Sequence, residues 1–168
     1  MNNPVDAVRE GLVELLPRLR RFGRALARQP QDADDLVQVA VERALRHARQ
    51  WQPGSRLDHW LLGIMRNAWL DELRARKLRG ALFAPEEAGE QVGTTPMKGV
   101  NQMLDVQDAM ARLPEEQRSA VALVLVEGLS YREAADCLQV PIGTLTSRLA
   151  RGRTTLQEFL HPESETEQ

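Results

Sequence analysis

The stretch Ser130-Tyr-Arg-Glu-Ala-Ala-Asp-Cys-Leu-Gln-Val-Pro-Ile-Gly-Thr-Leu-Thr-Ser-Arg-Leu-Ala-Arg-Gly152 decides the fold class of this 168-residue chain. Ser130 followed by Glu133 is a capping box, in which a hydroxyl and a carboxylate each satisfy a backbone N–H at a helix start. Ala134, Ala135 and Leu138 then allow close packing of a short helix, and Leu138-Gln-Val-Pro141 makes a turn. A second helix follows from Pro141 or Ile142. Its inward positions are Leu145, Leu149, Gly152 and Leu156, while Thr144, Ser147, Arg148 and Arg151 share the outward face. Two short helices, a tight turn and a basic, hydroxyl-rich face predict a helix-turn-helix able to enter a major groove. An ordinary amphipathic hairpin with a solvated charged face is the plainer alternative.

Upstream, a helix from near Leu104 leads to Leu113-Pro-Glu-Glu116 and the apolar run Ala120 to Val126. Periodicity alone leaves that run as a buried strand or a buried helix, and the acidic first turn after Pro114 favours a helix ended by Gly128. Between Gly80 and Gln102, four glycines, two prolines and three glutamates with few large apolar residues read as a flexible linker.

Three longer helical patterns precede it. Asn3-Pro4-Val5-Asp6 predicts a capped start running towards Arg28, with Pro17 kinking or restarting the helix. The second pattern opens with Asp32 as a cap and runs to about Gln50. Its apolar stripe is Val37, Val41, Ala44, Leu45 and Ala48, opposite a polar row of Asp35, Gln38, Glu42, Arg46 and Arg49. Gln52-Pro-Gly-Ser55 is a turn by composition. The third helix, capped near Asp58, has Leu57, Leu61, Ile64, Met65 and Ala68 on one stripe and a basic end at Arg74, Arg76, Lys77 and Arg79. The fold class is therefore all-α: two small helical domains joined by a flexible linker, the second containing the helix-turn-helix. The expected divisions are 1–80, 81–103, 104–160 and a disordered tail over 161–168.

The formal charge of −2 hides an asymmetry. Residues 1–80 carry 15 basic and 10 acidic side chains, 81–113 carry 2 and 5, 114–160 carry 5 and 6, and 161–168 carry 0 and 3. A basic first half, an acidic connection and a balanced last block suit local contacts with nucleic acid better than the total suggests. Ala120 to Val126, the longest apolar run, is too short to span a bilayer, and Asp6, Glu10 and Glu14 do not fit a leader, so a cytoplasmic location without membrane contact is expected. Cys137 is the only cysteine, which excludes an internal disulfide and a multi-cysteine metal site. His47, His59 and His161 read as surface residues. Asp34/Asp35 and Glu115/Glu116 are explained by helix starts, and no phosphate loop, nucleophile motif or ligand set accompanies them. No enzyme activity, catalytic residue, metal or cofactor is expected.

Asp32-Ala-Asp-Asp-Leu-Val-Gln38 with Arg43-Ala-Leu45, then Trp51-Gln-Pro-Gly-Ser55, then Trp60-Leu-Leu-Gly-Ile-Met-Arg-Asn67 with Asp71 and Arg74, resemble region 2 of extracytoplasmic-function (ECF) sigma factors. Leu113-Pro-Glu-Glu-Gln-Arg118, Gly128-Leu-Ser-Tyr-Arg-Glu-Ala-Ala135 and Val140-Pro-Ile-Gly-Thr-Leu-Thr-Ser-Arg-Leu149 resemble region 4 of the same family. The match follows the family order over most of the chain, and Trp51 to Ser55 is most similar to the general-stress-response branch.

The resemblance implies an alternative sigma factor that binds core RNA polymerase and directs promoter-specific initiation. Asp35, Gln38 and Glu42 would meet the β′ clamp, and region 4 the β flap. Gln52, Pro53, Gly54, Ser55 and Arg56 would form a loop receiving a base flipped from the −10 strand, with Asn67 beside it; an amide offers a donor and an acceptor to a base edge. Arg66, Arg74, Arg76 and Lys77 would follow the opened strand. The −35 element would fall to Tyr131, Arg132, Thr144, Thr146, Ser147, Arg148, Arg151 and Arg153. An anti-sigma factor is an expected partner. Val39 stands where many relatives carry Glu, Thr146 where many carry Lys, and Gln139 where Gly is common. Trp51, Trp60 and Trp69 all invite a base-stacking reading, but Trp60 reads as core and Trp69 suits either core packing or base stacking. A sigma mimic that sequesters an anti-sigma factor would need neither Asn67 nor Arg148 and Arg151. A stand-alone helix-turn-helix regulator would leave the region 2 motifs unexplained.

Overall fold

A computed structural model describes residues 3–82 and 102–162, and every regular element among them is helical. The first, α1 (Pro4–Leu26), starts as its sequence dictates: the Asn3 side chain accepts the Val5 N–H at 3.2 Å and Pro4 occupies the first turn. Pro17 does not restart it. The one carbonyl a mid-helix proline orphans is that of Val13, which is 76% exposed, so solvent rather than a chain break can satisfy it. The helix buries Val8, Leu12, Leu19, Phe22 and Leu26.

The second helix, α2 (Pro30–Arg46), begins two residues before Asp32 and ends earlier than expected, with a separate 3₁₀ turn at Ala48–Gln50. Pro30, with its preset φ, takes the first turn, and Asp32 is not a cap; its carboxylate pairs with Arg76 at 2.8 Å. The buried face is Ala33, Leu36, Val37, Ala40 and Ala44. The expected stripe is thus rotated: Val41 is only half-buried and Leu45 is exposed. Small alanines let α1 and α3 approach, and spacing cannot reveal that preference.

Helix α3 (Leu57–Leu82) extends two residues past the expected boundary at Gly80. It buries Leu61, Leu62, Met65, Ala68 and Trp69, while Leu57, Ile64 and Trp60 are half-buried. Helices α1, α2 and α3 pack on one another as a bundle. At Gly23 an added Cβ would stand 2.8 Å from Met65 Cε and 3.3 Å from the Ala33 carbonyl, so glycine permits this three-way contact. Residues 83–101, which hold most of the expected linker, and the tail from 163 lie outside the described residues.

The second unit comprises α4 (Gln102–Arg112), α5 (Glu115–Val121), a π-helical segment (Ala122–Val126), α6 (Tyr131–Leu138) and α7 (Ile142–Leu160). The apolar run is helical. Its π turn ends with the Glu127 N–H donating to the Ala122 carbonyl at 2.9 Å, five residues back. One extra residue per turn rotates the succeeding side chains by about 100° relative to an α-helix. Leu125 and Val126 consequently face outward and Glu127 is buried. Half-buried Arg118 donates to the carbonyls of Met110, Ala111 and Leu113, satisfying the C-terminal end of α4. The two units share one continuous core: α4, α5 and the π segment rest on α1, and α6 rests on α3. No helix among the described residues is long and apolar enough to cross a membrane.

Candidate nucleic-acid interface

The helix-turn-helix assembles as its sequence predicts. Glu133 N–H donates to Ser130 Oγ at 3.1 Å while Ser130 N–H donates to Glu133 Oε1 at 2.9 Å, completing the capping box. Gln139 closes α6 in the left-handed conformation (φ 56°, ψ 44°), the strained geometry that favours glycine. Leu145, Leu149 and Gly152 anchor α7; an added Cβ on Gly152 would lie 2.7 Å from Val121 Cγ2, so only glycine lets α5 and α7 approach this closely.

Of the expected −35 residues, Tyr131, Arg132, Thr146, Ser147, Arg151 and Arg153 are exposed. The Thr146 hydroxyl donates back to the Ile142 carbonyl at 2.8 Å. Thr144 is half-buried, and Arg148 is not on the open face: its side chain is 22% exposed and lies 3.9 Å from Glu116.

The expected −10 loop is an exposed turn. Ser55 Oγ donates to the Gln52 carbonyl at 2.7 Å, and Gly54 takes φ 95° where a Cβ would be strained. Asn67, Arg74, Arg76 and Lys77 are exposed along α3. Arg76 is also structural: it pairs with Asp32 and Glu72 (2.8 and 2.9 Å) and lies 5.5 Å from the Trp69 ring centroid. Arg66 differs from the rest of the set. It is half-buried, its Nε has no hydrogen-bond partner, and burial lowers the guanidinium's proton affinity, opposed by Glu115.

On α2, Asp35, Gln38 and Glu42 form the exposed row expected to meet the clamp. Grooves flank it on both sides. One, of about 400 Å³, runs between α2 and α3 and includes Asp35, Val39, Arg43 and Asp71; the other, of about 550 Å³, lies between α1 and α2 and includes Arg20, Gln38 and Glu42. Val39 is 38% exposed and puts an apolar side chain into the first groove.

Sequence reasoning missed a set of charged residues between the two units. Glu127 has a side chain with no exposure at all; Arg18 Nε donates to it at 2.6 Å, and Arg21 donates through Nε and Nη2 at 3.1 and 2.9 Å. Arg18 also donates to Asp58 at 2.6 Å and to the Glu127 carbonyl at 3.1 Å. Arg56 and Arg18, working against burial, hold the Asp58 carboxyl well below the usual carboxylate range. Arg118 reaches the Leu26 carbonyl at 3.0 Å, and Trp69 Nε1 donates to Glu115 at 3.2 Å. Burial raises the Glu115 carboxyl, opposed by Ser119, Arg118 and Trp69. His59 is not a surface residue: its side chain is 18% exposed, 3.4 Å from Glu133. Trp69 is core, which resolves the two readings of that residue. Trp51 is half-buried against the core, its indole N–H without a partner. A carboxylate interrupting the end of an apolar run was the one available signal for Glu127.

A three-helix bundle with an exposed turn, carried on the same chain as a capped helix-turn-helix, defines a class of two-unit helical proteins with DNA-reading architecture. The family model described as Sigma-70 region 2 matches residues 12–79, and that described as Sigma-70, region 4 matches residues 103–156. The ECF RNA polymerase sigma factor EcfG of Rhodopseudomonas palustris is 33% identical over 157 residues, spanning 93% of this chain and 86% of that protein. The ECF sigma factor SigM of Mycobacterium tuberculosis is 38% identical over 143 residues, spanning 85% and 71%. Among solved structures, the sigma factor RpoE in complex with the anti-sigma factor NepR from Bartonella quintana superposes with a TM-score of 0.79 at 33% identity, covering 92% of this chain and 97% of that one. This chain belongs to the ECF sigma factors of the sigma-70 family.

Proposed function

We propose that the protein is an alternative sigma factor that binds core RNA polymerase, reads the −35 and −10 promoter elements with separate units and assists strand opening, while the polymerase supplies the chemistry. The observation that carries this reading is the exposed Gln52–Arg56 turn and the capped helix-turn-helix on one chain that matches both sigma regions. The row Asp35, Gln38 and Glu42, between two grooves, suits docking of a clamp helix. Arginine forks on α7 match guanine O6/N7 or phosphate, and Ser and Thr hydroxyls match phosphate oxygens. The amide of Asn67 and the turn suit a flipped base, whose extrusion costs a few kcal/mol that pocket contacts must offset. An anti-sigma factor is a proposed partner, supported by the complex in which the similar Bartonella sigma factor was solved.

Transcription in vitro by core polymerase, with and without the full chain, tests the proposal. Promoter-specific transcripts that depend on the chain are expected. The absence of any chain-dependent transcript would overturn it; promoter binding by the chain alone would then identify a stand-alone regulator, and capture of an anti-sigma factor without DNA binding a mimic.

A further inference from the structure

Two ion pairs of opposite polarity join α2 to α3 across the groove between them. Towards one end, the Arg76 guanidinium of α3 is almost fully engaged by protein. Its Nη1 donates to Asp32 Oδ2 at 3.2 Å, Nη2 stands 2.8 Å from Asp32 Oδ1, and Nε donates to Glu72 at 2.9 Å. Its central carbon lies 5.5 Å from the Trp69 ring centroid. A guanidinium carries its five donors in a rigid fork, and here the fork, the Nε and one face are all taken. A phosphate oxygen brought to Arg76 would stand beside the carboxylates of Asp32 and Glu72 as well, so the site repels an anion as it attracts one. Lys77, the next residue of α3, is exposed and has no ion pair among the described residues. Towards the other end of the groove the charges are reversed, with Arg43 of α2 donating to Asp71 of α3 at 2.9 Å. This reversal specifies register. Sliding α3 by one turn, about 5.4 Å, brings Glu72 opposite Asp32 and Asn67 opposite Arg43 in one direction, and Gly80 and Ala75 in the other. Either slide loses both pairs. Single exposed ion pairs add little stability, so the contribution of this bidentate, networked set is chiefly alignment.

We propose that Arg76 is a positioning residue and not a strand contact. With Asp32, and with Arg43 and Asp71 at the far end, it fixes the register of α2, which presents Asp35, Gln38 and Glu42, against α3, which presents Asn67. Contact with phosphate is left to unpaired cations such as Lys77. Polymerase docking and base reading then share one frame, and the spacing between them is set by charges that touch neither partner. The role in promoter binding rests on the proposed sigma reading; the register set by the ion pairs does not.

Two measurements on the full chain test this. In the chain alone, Arg76→Asp sets three carboxylates together and is expected to lower the thermal unfolding midpoint by about 2–4 °C or more. The swap Arg76→Asp/Asp32→Arg restores the pair with its polarity reversed and is expected to recover about half of that loss or more. If Arg76→Asp does not fold, the cycle of Arg76→Gln and Asp32→Asn decides the matter, because paired residues give non-additive midpoints. With core polymerase, binding to a promoter fork whose −10 strand is unpaired is read at several salt concentrations. Arg76→Gln is expected to weaken binding while leaving the slope of log K against log salt unchanged, whereas Lys77→Gln is expected to reduce that slope by about 0.7. A loss of slope in Arg76→Gln equal to that in Lys77→Gln, or a swap no more stable than Arg76→Asp, would overturn the inference. If the wild-type chain gives no polymerase-dependent binding of the fork, the sigma reading fails and takes the role in promoter binding with it. Recovery in the swap then still upholds the register, and its absence overturns that too.

Discussion

At the residue scale, Gln139 shows how one backbone angle links sequence to stability. Its αL conformation costs a non-glycine residue about 1 kcal/mol. Its side chain is exposed, so Gln139→Gly removes strain and no packing. Thermal or urea unfolding is expected to show a gain of about 1 kcal/mol, with DNA recognition unchanged. Arg148 is the second case. Its side chain is largely covered, beside Glu116, yet on the proposed reading it faces a base edge in the promoter complex. Arg148→Ala is therefore expected to weaken holoenzyme binding by about 1–3 kcal/mol and to flatten discrimination among −35 variants. An equal loss across all −35 sequences would reassign it to a phosphate.

At the element scale, the helix-turn-helix depends on how closely α7 can lie on α5. Gly152 sets that separation, because its missing Cβ would meet Val121 and Gln117. Gly152→Ala is expected to destabilise the second unit by about 1–3 kcal/mol through overpacking, read as a lower unfolding midpoint, and to weaken −35 binding by misplacing α7. The capping box, the turn and the inward leucines of this motif are all legible in the sequence because each is local: the groups that satisfy one another lie within four residues. Asn3 and Pro4 at the start of α1 are legible for the same reason. Two element-level expectations fail where distant partners compete. Asp32 turns from capping to a pair with Arg76, 44 residues away, and Leu45 is displaced from the core by alanines that α1 and α3 prefer.

At the scale of the whole molecule, the seam between the units carries charges whose titration sets its pH dependence. Asp58 is held below its ordinary value of 3.8, chiefly by Arg56, with burial opposing and Arg18 assisting. A depressed carboxyl contributes stability that is present above its unfolded value and is lost as pH falls through the folded one. The unfolding midpoint is therefore expected to stay constant from neutral pH down to about 4 and to fall below it, and Asp58→Asn is expected to shrink that acid-dependent change. Glu115 acts in the opposite sense. Burial raises its value above 4.5, so its contribution is present at lower pH and is lost as pH rises through the folded value. Glu115→Gln, which can still accept from Trp69, is accordingly expected to leave the unfolding midpoint at neutral pH unchanged or higher.

The net charge of −2 is an average over parts that do different things. The sequence alone determined that the chain is helical, that it ends in a capped helix-turn-helix and that its motifs are those of sigma regions 2 and 4. Helical periodicity, capping chemistry and turn residues act over short separations and are written in adjacent letters. Only the tertiary structure decided that Glu127 turns inward, that Arg66 is covered and that Trp69 is core. The π turn after Val121 rotates Glu127 towards α1, and its partners Arg18 and Arg21 lie 109 and 106 residues away. No local pattern specifies such a pairing, because a buried charge is stable only where the fold has already placed its counter-charges.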